Sequence, residues 1–261
     1  MSQKKGYEVL KEKVPEFRSP WKSTAIFIVW FLLFLVCVVF FLWFNSLVWY
    51  GALISQLIVA LVCSAFAYGH MKNAKRYREK YGELAYRYFF FHFIMPIFAT
   101  WFACIFHPLL IGGQALLPFW LAIVIGIFLI IFRPLTTLHI RKSGFDVVGH
   151  GLGIYTVYPE EGTGVSSEIY SYIRHPMYLG SFCAALAFAF FRNNTIALLT
   201  ALIFLIPVLI AGWLEDREMI ERFGEEHKKY IKNTGALFPH KDIGKFLKLL
   251  FFLDRGQNKN V

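Results

Sequence analysis

One short stretch of this chain, residues 170–180, concentrates side chains that could bind a charged ligand. It reads Tyr-Ser-Tyr-Ile-Arg-His-Pro-Met-Tyr-Leu-Gly, so Arg174 supplies a fixed cation and His175 a ring that titrates near neutral pH. Pro176 restrains His175 to extended geometry and suits the first turn of a following helix. Tyr178 lies one helical turn after Arg174. These residues predict either a polar binding site at a membrane surface or a basic turn that only caps a transmembrane helix.

A second chemically useful group is Glu215, which stands at the head of an amphipathic helix face. The residues that follow it at three- and four-residue steps are Met219, Phe223, His227 and Tyr230. A carboxylate in such a position needs a cationic partner, because an unpaired buried charge is costly. The alternative is a helix-start charge that the helix dipole stabilises.

The composition places both groups in a membrane protein. Of the 261 residues, 57% are hydrophobic and 19% are aromatic, which exceeds the apolar share of a soluble domain. The first apolar run, residues 24–44, is longer than a signal-peptide core and has no small-residue cleavage site after it, so we expect a retained helix. The runs that we interpret as spans are 24–49, 51–70, 89–111, 116–132, 179–191 and 195–213. The sequence therefore predicts an all-α, polytopic integral membrane protein with about six transmembrane helices.

The basic residues predict the orientation of those spans. The formal net charge is +10, and every Lys and Arg except Arg192 falls where an even number of crossings returns the chain to one side. The positive-inside rule makes that side cytoplasmic, with both termini on it. Anionic lipid headgroups account for the charge better than nucleic acid does, so we expect membrane lipids and no nucleic acid as partners.

The cysteines and histidines do not form a recognisable metal site. Cys37, Cys63, Cys104 and Cys183 all lie inside apolar runs, without Cys-x-x-Cys or Cys/His ligand spacing. We interpret them as small core side chains and predict neither a disulfide nor a metal.

The motif and Glu215 together resemble a known family. Arg-His-Pro-x-Tyr-x-Gly at 174–180, followed by Glu215-Asp216, by Phe223-Gly224 and by Tyr230, is similar to the isoprenylcysteine carboxyl methyltransferase and phospholipid methyltransferase superfamily. The resemblance covers residues 162–239. It implies an enzyme that transfers a methyl group from S-adenosyl-L-methionine to a lipid-embedded acceptor, with a cytoplasmic C-terminal cofactor-binding region.

The resemblance also implies roles for individual residues. Glu215 would bind the ammonium group of the cofactor, and Arg174 and Glu215 are the predicted catalytic residues. The full set of implied cofactor contacts is Gly162, Thr163, Gly164, Val165, Tyr170, His175, Pro176, Met177, Tyr178 and Glu215. The family usually has Gly-Pro before the tyrosine at 170, where this chain has Glu168-Ile169.

With the family in view, the chain divides into four predicted segments. Residues 1–22 carry apolar side chains at helical spacing among charges and suggest an interfacial amphipathic segment. Residues 23–132 form a four-helix transmembrane region, and 133–240 form the methyltransferase-like catalytic region. Residues 241–261 are a basic amphipathic tail.

The acceptor is predicted partly from a missing residue. In the isoprenylcysteine enzymes that the chain resembles, an arginine one helical turn before the cofactor glutamate binds the substrate carboxylate, and Ala211 stands at that position here. A carboxylate substrate would then need Arg174 or Arg217. Tyr158, in the long glycine-rich stretch before the motif, is a further predicted substrate contact. We therefore expect a phospholipid amine or another small lipid nucleophile rather than a prenylated cysteine.

Two other classes of function stay open on the sequence. Membrane sterol reductases that use NADPH have a related C-terminal region, although they are usually longer and lack His-Pro-x-Tyr. A non-catalytic membrane scaffold would use Arg174, His175 and Glu215 only to pack helices together. The oligomeric state is unknown.

Overall fold

The structure is a computed structural model that describes residues 6–162 and 167–253. Every regular element in those two ranges is helical, and the one β-type contact there is an isolated parallel bridge between Ile173 and Gly235. The α-helices are α1 Gly6–Lys13, α2 Pro20–Leu47, α3 Gly51–Tyr81, α4 Ala85–Phe89, α5 Met95–Phe106, α6 Phe119–Lys142, α7 Val147–Gly151, α8 Ile154–Val157, α9 Pro176–Arg192, α10 Thr195–Ile203, α11 Leu205–Phe223, α12 Glu225–Asn233 and α13 Ile243–Leu250. The predicted all-α class is confirmed.

Four helical stretches are long and apolar enough to cross a bilayer: Pro20–Leu47, Gly51–Leu110, Phe119–Lys142 and Thr195–Phe223. The second stretch contains α3 and the α4–α5 unit, which pack against each other as a hairpin. Pro176–Arg192 adds a shorter apolar helix. The fold is thus a polytopic helical membrane protein, and the number of crossings, six, stays a prediction.

The N-terminal helix packs on protein. In α1 the side chains of Val9 and Leu10 are buried, and Val14 just after it is fully buried, in a cluster that includes Tyr86 of α4. Part of the predicted amphipathic face is thus covered by protein, whereas Tyr7 and Trp21 are exposed, and the interfacial placement of residues 1–22 stays a prediction.

Helix α6 is longer than its apolar run. It continues past Pro134 to Lys142, and the chain leaves the helix only at Gly144, where φ is +79°. The predicted boundary between residues 132 and 133 therefore falls inside α6. The polar end of α6 remains helical because it packs against other parts of the protein, where Ile140 is almost completely buried.

Close packing of α6 on α9 positions the motif. A Cβ on Gly180, the last residue of the motif, would lie only 2.6 Å from Thr136 Oγ1 and 3.1 Å from Arg133 Cδ. On α6, a Cβ on Gly126 would lie 2.4 Å from the ring of Phe191. The two glycines let the helices approach closely. They hold the first turns of α9 against α6.

The last hairpin places Glu215 in the middle of a helix. Pro207 cannot donate a hydrogen bond to the carbonyl of Ile203, and the helix is interrupted there between α10 and α11. Because α11 continues to Phe223, Glu215 lies well inside it, and the helix-start alternative for this carboxylate is wrong. Gly224, with φ +58°, then separates α11 from α12.

Candidate active site

A cavity of about 980 Å³ lies between α3, α5, α6, α9 and α11, with residues of α7 and α8 at one end. This volume is at the upper end of the range of ligand pockets, about 300–1,000 Å³. The first residues of the motif and the second half of α11 contribute polar lining residues, including His175 and Glu215. The apolar lining comes from deeper in α5 and α9, where the rings of Phe106 and Phe188 stack 4.9 Å apart. The cavity is therefore polar at one end and apolar at the other.

Arg174 ties the start of α9 to two other segments. Its Nε and Nη2 donate to the Asp216 carboxylate of α11 at 3.0–3.1 Å. Its Nη1 donates to the carbonyl oxygens of Ile231 and Thr234, and its backbone N–H donates to Gly235 O. Most of its side-chain donors are thus used within the protein. This geometry makes Arg174 a positioning residue, and its predicted contact with the acceptor stays a prediction.

His175 lies between two carboxylates. Its Nδ1 is 3.2 Å from Glu215 Oε2 and its Nε2 is 3.2 Å from Asp216 Oδ1, the second contact being close but not aligned as a hydrogen bond. Burial by itself lowers the pKa of the imidazole, but Asp216 and Glu215 outweigh it and raise the pKa to about 9. At neutral pH the ring is therefore a cation between two anions.

The Glu215 carboxylate faces the cavity. Tyr178, one turn into α9, donates its hydroxyl hydrogen bond to Glu215 Oε1, and His175 holds the other oxygen. The Glu215 side chain keeps 44% of its surface accessible, whereas that of Asp216 keeps 15%. One carboxylate is thus oriented but open to a ligand, and its neighbour is enclosed.

The other predicted cofactor contacts divide into two groups. Tyr170, Pro176 and Met177 line the cavity, and the carbonyl of Tyr170 accepts a 2.6 Å hydrogen bond from the hydroxyl of Tyr230. Gly162 instead lies against Tyr155, where a Cβ would come within 3.0 Å of the Tyr155 side chain. Thr163, Gly164 and Val165 lie outside the described residues.

Two predicted substrate contacts lie away from the cavity. Tyr158 is buried beneath Lys13, whose Nζ lies 3.9 Å from the ring centre, and its hydroxyl points to Gly82 O. Arg217 is exposed on the outer face of α11, and its guanidinium lies over Trp213. The proposed roles of Tyr158 and Arg217 are therefore corrected, because α8 and α11 direct both side chains elsewhere.

The structure adds cavity residues that the sequence reasoning missed, among them Trp101 and Glu218. Trp101 of α5 lies 5.3 Å from the ring of Tyr178, and nothing in an apolar run marks which aromatic residue faces inward. Glu218 also lines the cavity, and its nearest cation is Arg222 at 3.7 Å. It could have been found, because it lies three residues after Glu215 and so on the same helix face.

Comparison with known proteins bears on the same region. Residues 121–226 match the family model of phospholipid methyltransferases. That range runs from α6 into α12 and includes the Arg-His-Pro motif and Glu215. The chain is also 37% identical over 82 residues to a methanethiol S-methyltransferase of Pseudomonas deceptionensis. Over this region the chain is similar to integral-membrane methyltransferases.

The similarity to the Pseudomonas methyltransferase covers only a short segment, and this limits what it implies about the present chain. The matched segment covers 31% of this chain and 30% of the Pseudomonas methyltransferase, less than a third of the length of either protein. No solved structure matches the chain. The two comparisons thus show a likeness to membrane methyltransferases over part of the chain, and the function has to be argued from the cavity.

The described residues at the polar end of the cavity are arranged to orient bound molecules. Within residues 6–162 and 167–253, no group of three or more His, Cys, Asp or Glu side chains is arranged to hold a metal ion. What those residues do provide is a rigid carboxylate, fixed by an imidazolium and a phenol, at one end of an apolar cavity. Rigid contacts of this kind suit the orientation of two bound molecules.

The charged state of His175 gives a testable pH dependence. Because its pKa is raised, its stabilising contribution is complete below the ordinary value of 6.5 and is lost as the pH rises through about 9. We expect the melting temperature of the purified protein to fall between these pH values more steeply than that of His175→Gln. The exposed His240 offers a matched control, and His240→Gln should keep the wild-type slope. Equal slopes for wild type and His175→Gln would contradict the assignment.

Proposed function

We propose that the protein transfers a methyl group from S-adenosylmethionine to a lipophilic acceptor that reaches the cavity from the bilayer. The observation that carries the proposal is the division of one cavity into a carboxylate-bearing end and an apolar end between membrane helices. A water-soluble charged donor and a lipid-soluble acceptor need these two environments side by side. The family assignment supports methyl transfer as the reaction.

The polar end fits the cofactor. The Glu215 carboxylate is accessible and oriented, so it can accept hydrogen bonds from an ammonium group, and the aromatic rings of Tyr170 and Tyr178 lie beside it. When bound, the cofactor would supply a methyl group on a sulfonium: the nucleophile would bond to the methyl carbon, the carbon–sulfur bond would break, and a neutral thioether would leave. The protein's part is to hold both partners in line and to exclude water with the buried motif and α11.

The acceptor that we propose is a phospholipid amine. The clamps that the sequence offered a carboxylate acceptor are not available, because Ala211 occupies the arginine position, Arg174 is engaged by Asp216 and Arg217 faces away. An amine must instead lose a proton before it attacks, and Glu218 is a cavity carboxylate that can accept it.

Three other carboxylates near the motif, those of Glu160, Glu161 and Asp216, form ion pairs elsewhere in the protein. Glu160 pairs with Arg78 at 2.6 Å and Glu161 with Lys13 at 2.7 Å.

A second candidate acceptor is a small thiol. The name of the Pseudomonas relative favours it, and so does the apolar depth of the cavity. A thiol carries no positive charge, so it needs no carboxylate to attract it, and it loses its proton more easily than an ammonium group does. The two acceptors therefore need different side chains in the cavity.

Cofactor binding can be tested without knowing the acceptor. We expect Glu215→Gln to weaken the binding of S-adenosylhomocysteine about tenfold or more, because a charge-assisted hydrogen bond contributes about 1.5–3 kcal/mol. The measurement is isothermal titration calorimetry of the purified protein. Glu221→Gln, an exposed carboxylate on the same helix, is the matched control and should bind like the wild type.

The same titration separates the alternatives. Binding of NADPH without binding of S-adenosylhomocysteine would favour the reductase reading. If neither NADPH nor S-adenosylhomocysteine binds, the result would favour the non-catalytic scaffold.

We also propose that both termini and the polar end of the cavity are cytoplasmic. The distribution of Lys and Arg supports this orientation, which would place the cavity where soluble S-adenosylmethionine is present. Reporter fusions after Asn45 and Gly113 should then read as external, and fusions after Lys80 and Asn258 as internal. The reversed pattern would refute the orientation.

A further inference from the structure

Arg133 of α6 is a cavity cation whose charge the site described so far does not use. It lines the cavity beside the first turn of α9. The other two cavity arginines each have a carboxylate, Arg174 with Asp216 at 3.0 Å and Arg222 with Glu218 at 3.7 Å. In the described part of the chain, no carboxylate oxygen lies within 4 Å of Arg133. Within the described ranges, its positive charge therefore has no ionic partner.

The contacts that Arg133 does make leave most of its donors unused. Its Nη1 lies 3.4 Å from the carbonyl oxygen of Met177, at the weak end of hydrogen-bond distances. That oxygen already accepts a 3.0 Å hydrogen bond from Ser181. A guanidinium carries five N–H donors in a planar fork that matches the oxygens of a phosphate or carboxylate.

The fold keeps space for this side chain. Gly180 has no side chain where the Arg133 stem passes, and a Cβ there would lie 3.1 Å from Arg133 Cδ. A charge in a membrane helix is expensive, so an ionisable residue that faces a cavity between helices is typical of a functional site. The close approach of α6 to α9 thus holds a cation at the cavity wall.

The depth of Arg133 in the membrane indicates which chemical group it could bind. The apolar run of α6 ends at residue 132, and the helix after Arg133 carries His139, Arg141 and Lys142. Arg133 therefore lies where the hydrocarbon layer gives way to the headgroup layer. The anion that a lipid places at this level is its phosphate, which in an amine-bearing phospholipid is only a short linker away from the nitrogen.

We propose that Arg133 binds the phosphate of the acceptor and so presents the adjoining amine to the carboxylate end of the cavity. This inference rests on the proposed function and gives it a determinant of specificity. A small thiol or a simple alkyl amine would gain nothing from Arg133, whereas a phospholipid would depend on it.

The test compares acceptors with and without a phosphate. In full-length protein, Arg133→Gln should raise the KM for phosphatidylethanolamine about tenfold or more, as expected for a lost charge-assisted contact. The KM for dodecylamine and the Kd for S-adenosylhomocysteine should stay within about twofold of the wild-type values. Arg141→Gln, an exposed arginine two turns further along α6, is the matched control and should behave like the wild type.

A binding measurement makes the result independent of turnover. Wild-type protein in an uncharged detergent should bind dodecyl phosphate but not dodecanol in calorimetry, and Arg133→Gln should lose that difference. If Arg133→Gln does not fold, Arg133→Lys serves instead, because it keeps the charge but loses the fork and should give an intermediate loss.

Three results would overturn the inference. Equal losses with phosphatidylethanolamine and dodecylamine would mean that Arg133 only supports α9. Weaker binding of S-adenosylhomocysteine would assign it to the cofactor carboxylate. Binding of dodecyl phosphate that does not depend on Arg133 would remove the anion site. If the wild type methylates no acceptor but binds dodecyl phosphate through Arg133, the proposed function fails and the anion site stands.

Discussion

The site depends on one electrostatic arrangement, a buried imidazolium between the carboxylates of Glu215 and Asp216. Two acidic residues next to each other in a membrane helix would repel and would resist burial. His175 meets both at 3.2 Å, and Arg174 neutralises Asp216 from the other side. The result is an enclosed Asp216 that fixes the backbone and an accessible Glu215 that can meet a ligand. The neighbouring residues Arg174 and His175 of the motif thus pair with the neighbouring residues Glu215 and Asp216 of α11.

This arrangement explains why the helices are built as they are. Pro176 starts α9 immediately after His175, so the ring stays at the helix entrance instead of inside the helix. Gly212 on α11 leaves room for it, since a Cβ there would lie 3.1 Å from His175 Cδ2. Gly180 lets α6 support the same turn from behind. Pro176, Gly212 and Gly180 therefore all help to position the imidazole ring of His175.

The sequence predicted those parts of the site that lie on regular periodic elements. The start of α9 follows from Pro176, and the break before α11 follows from Pro207. The side chains of His175, Tyr178 and Glu215, which the family resemblance placed at one cofactor site, lie in contact. It did not predict where side chains outside those elements point. Tyr158 and Arg217 were misplaced because the direction of α8 and the outer face of α11 are set by tertiary packing.

Arg133 and Trp101 could not have been assigned from the sequence, for the same reason. In the sequence, an arginine at the end of an apolar run indicates the end of a membrane span, and an aromatic residue inside such a run is expected to face lipid. Only the packing of α5 and α6 around the cavity turns both inward.

The central claim is that this cavity is the place where the methyl group is transferred. Purified protein in phosphatidylethanolamine-containing nanodiscs, supplied with S-adenosylmethionine labelled in its methyl group, tests it directly. The account predicts label in the extracted lipid from the wild type and from Glu221→Gln, and a loss of at least about tenfold from Glu215→Gln. Lipid labelling by Glu215→Gln at the wild-type rate, or no labelled lipophilic product from the wild type with any amine or thiol acceptor, would contradict it.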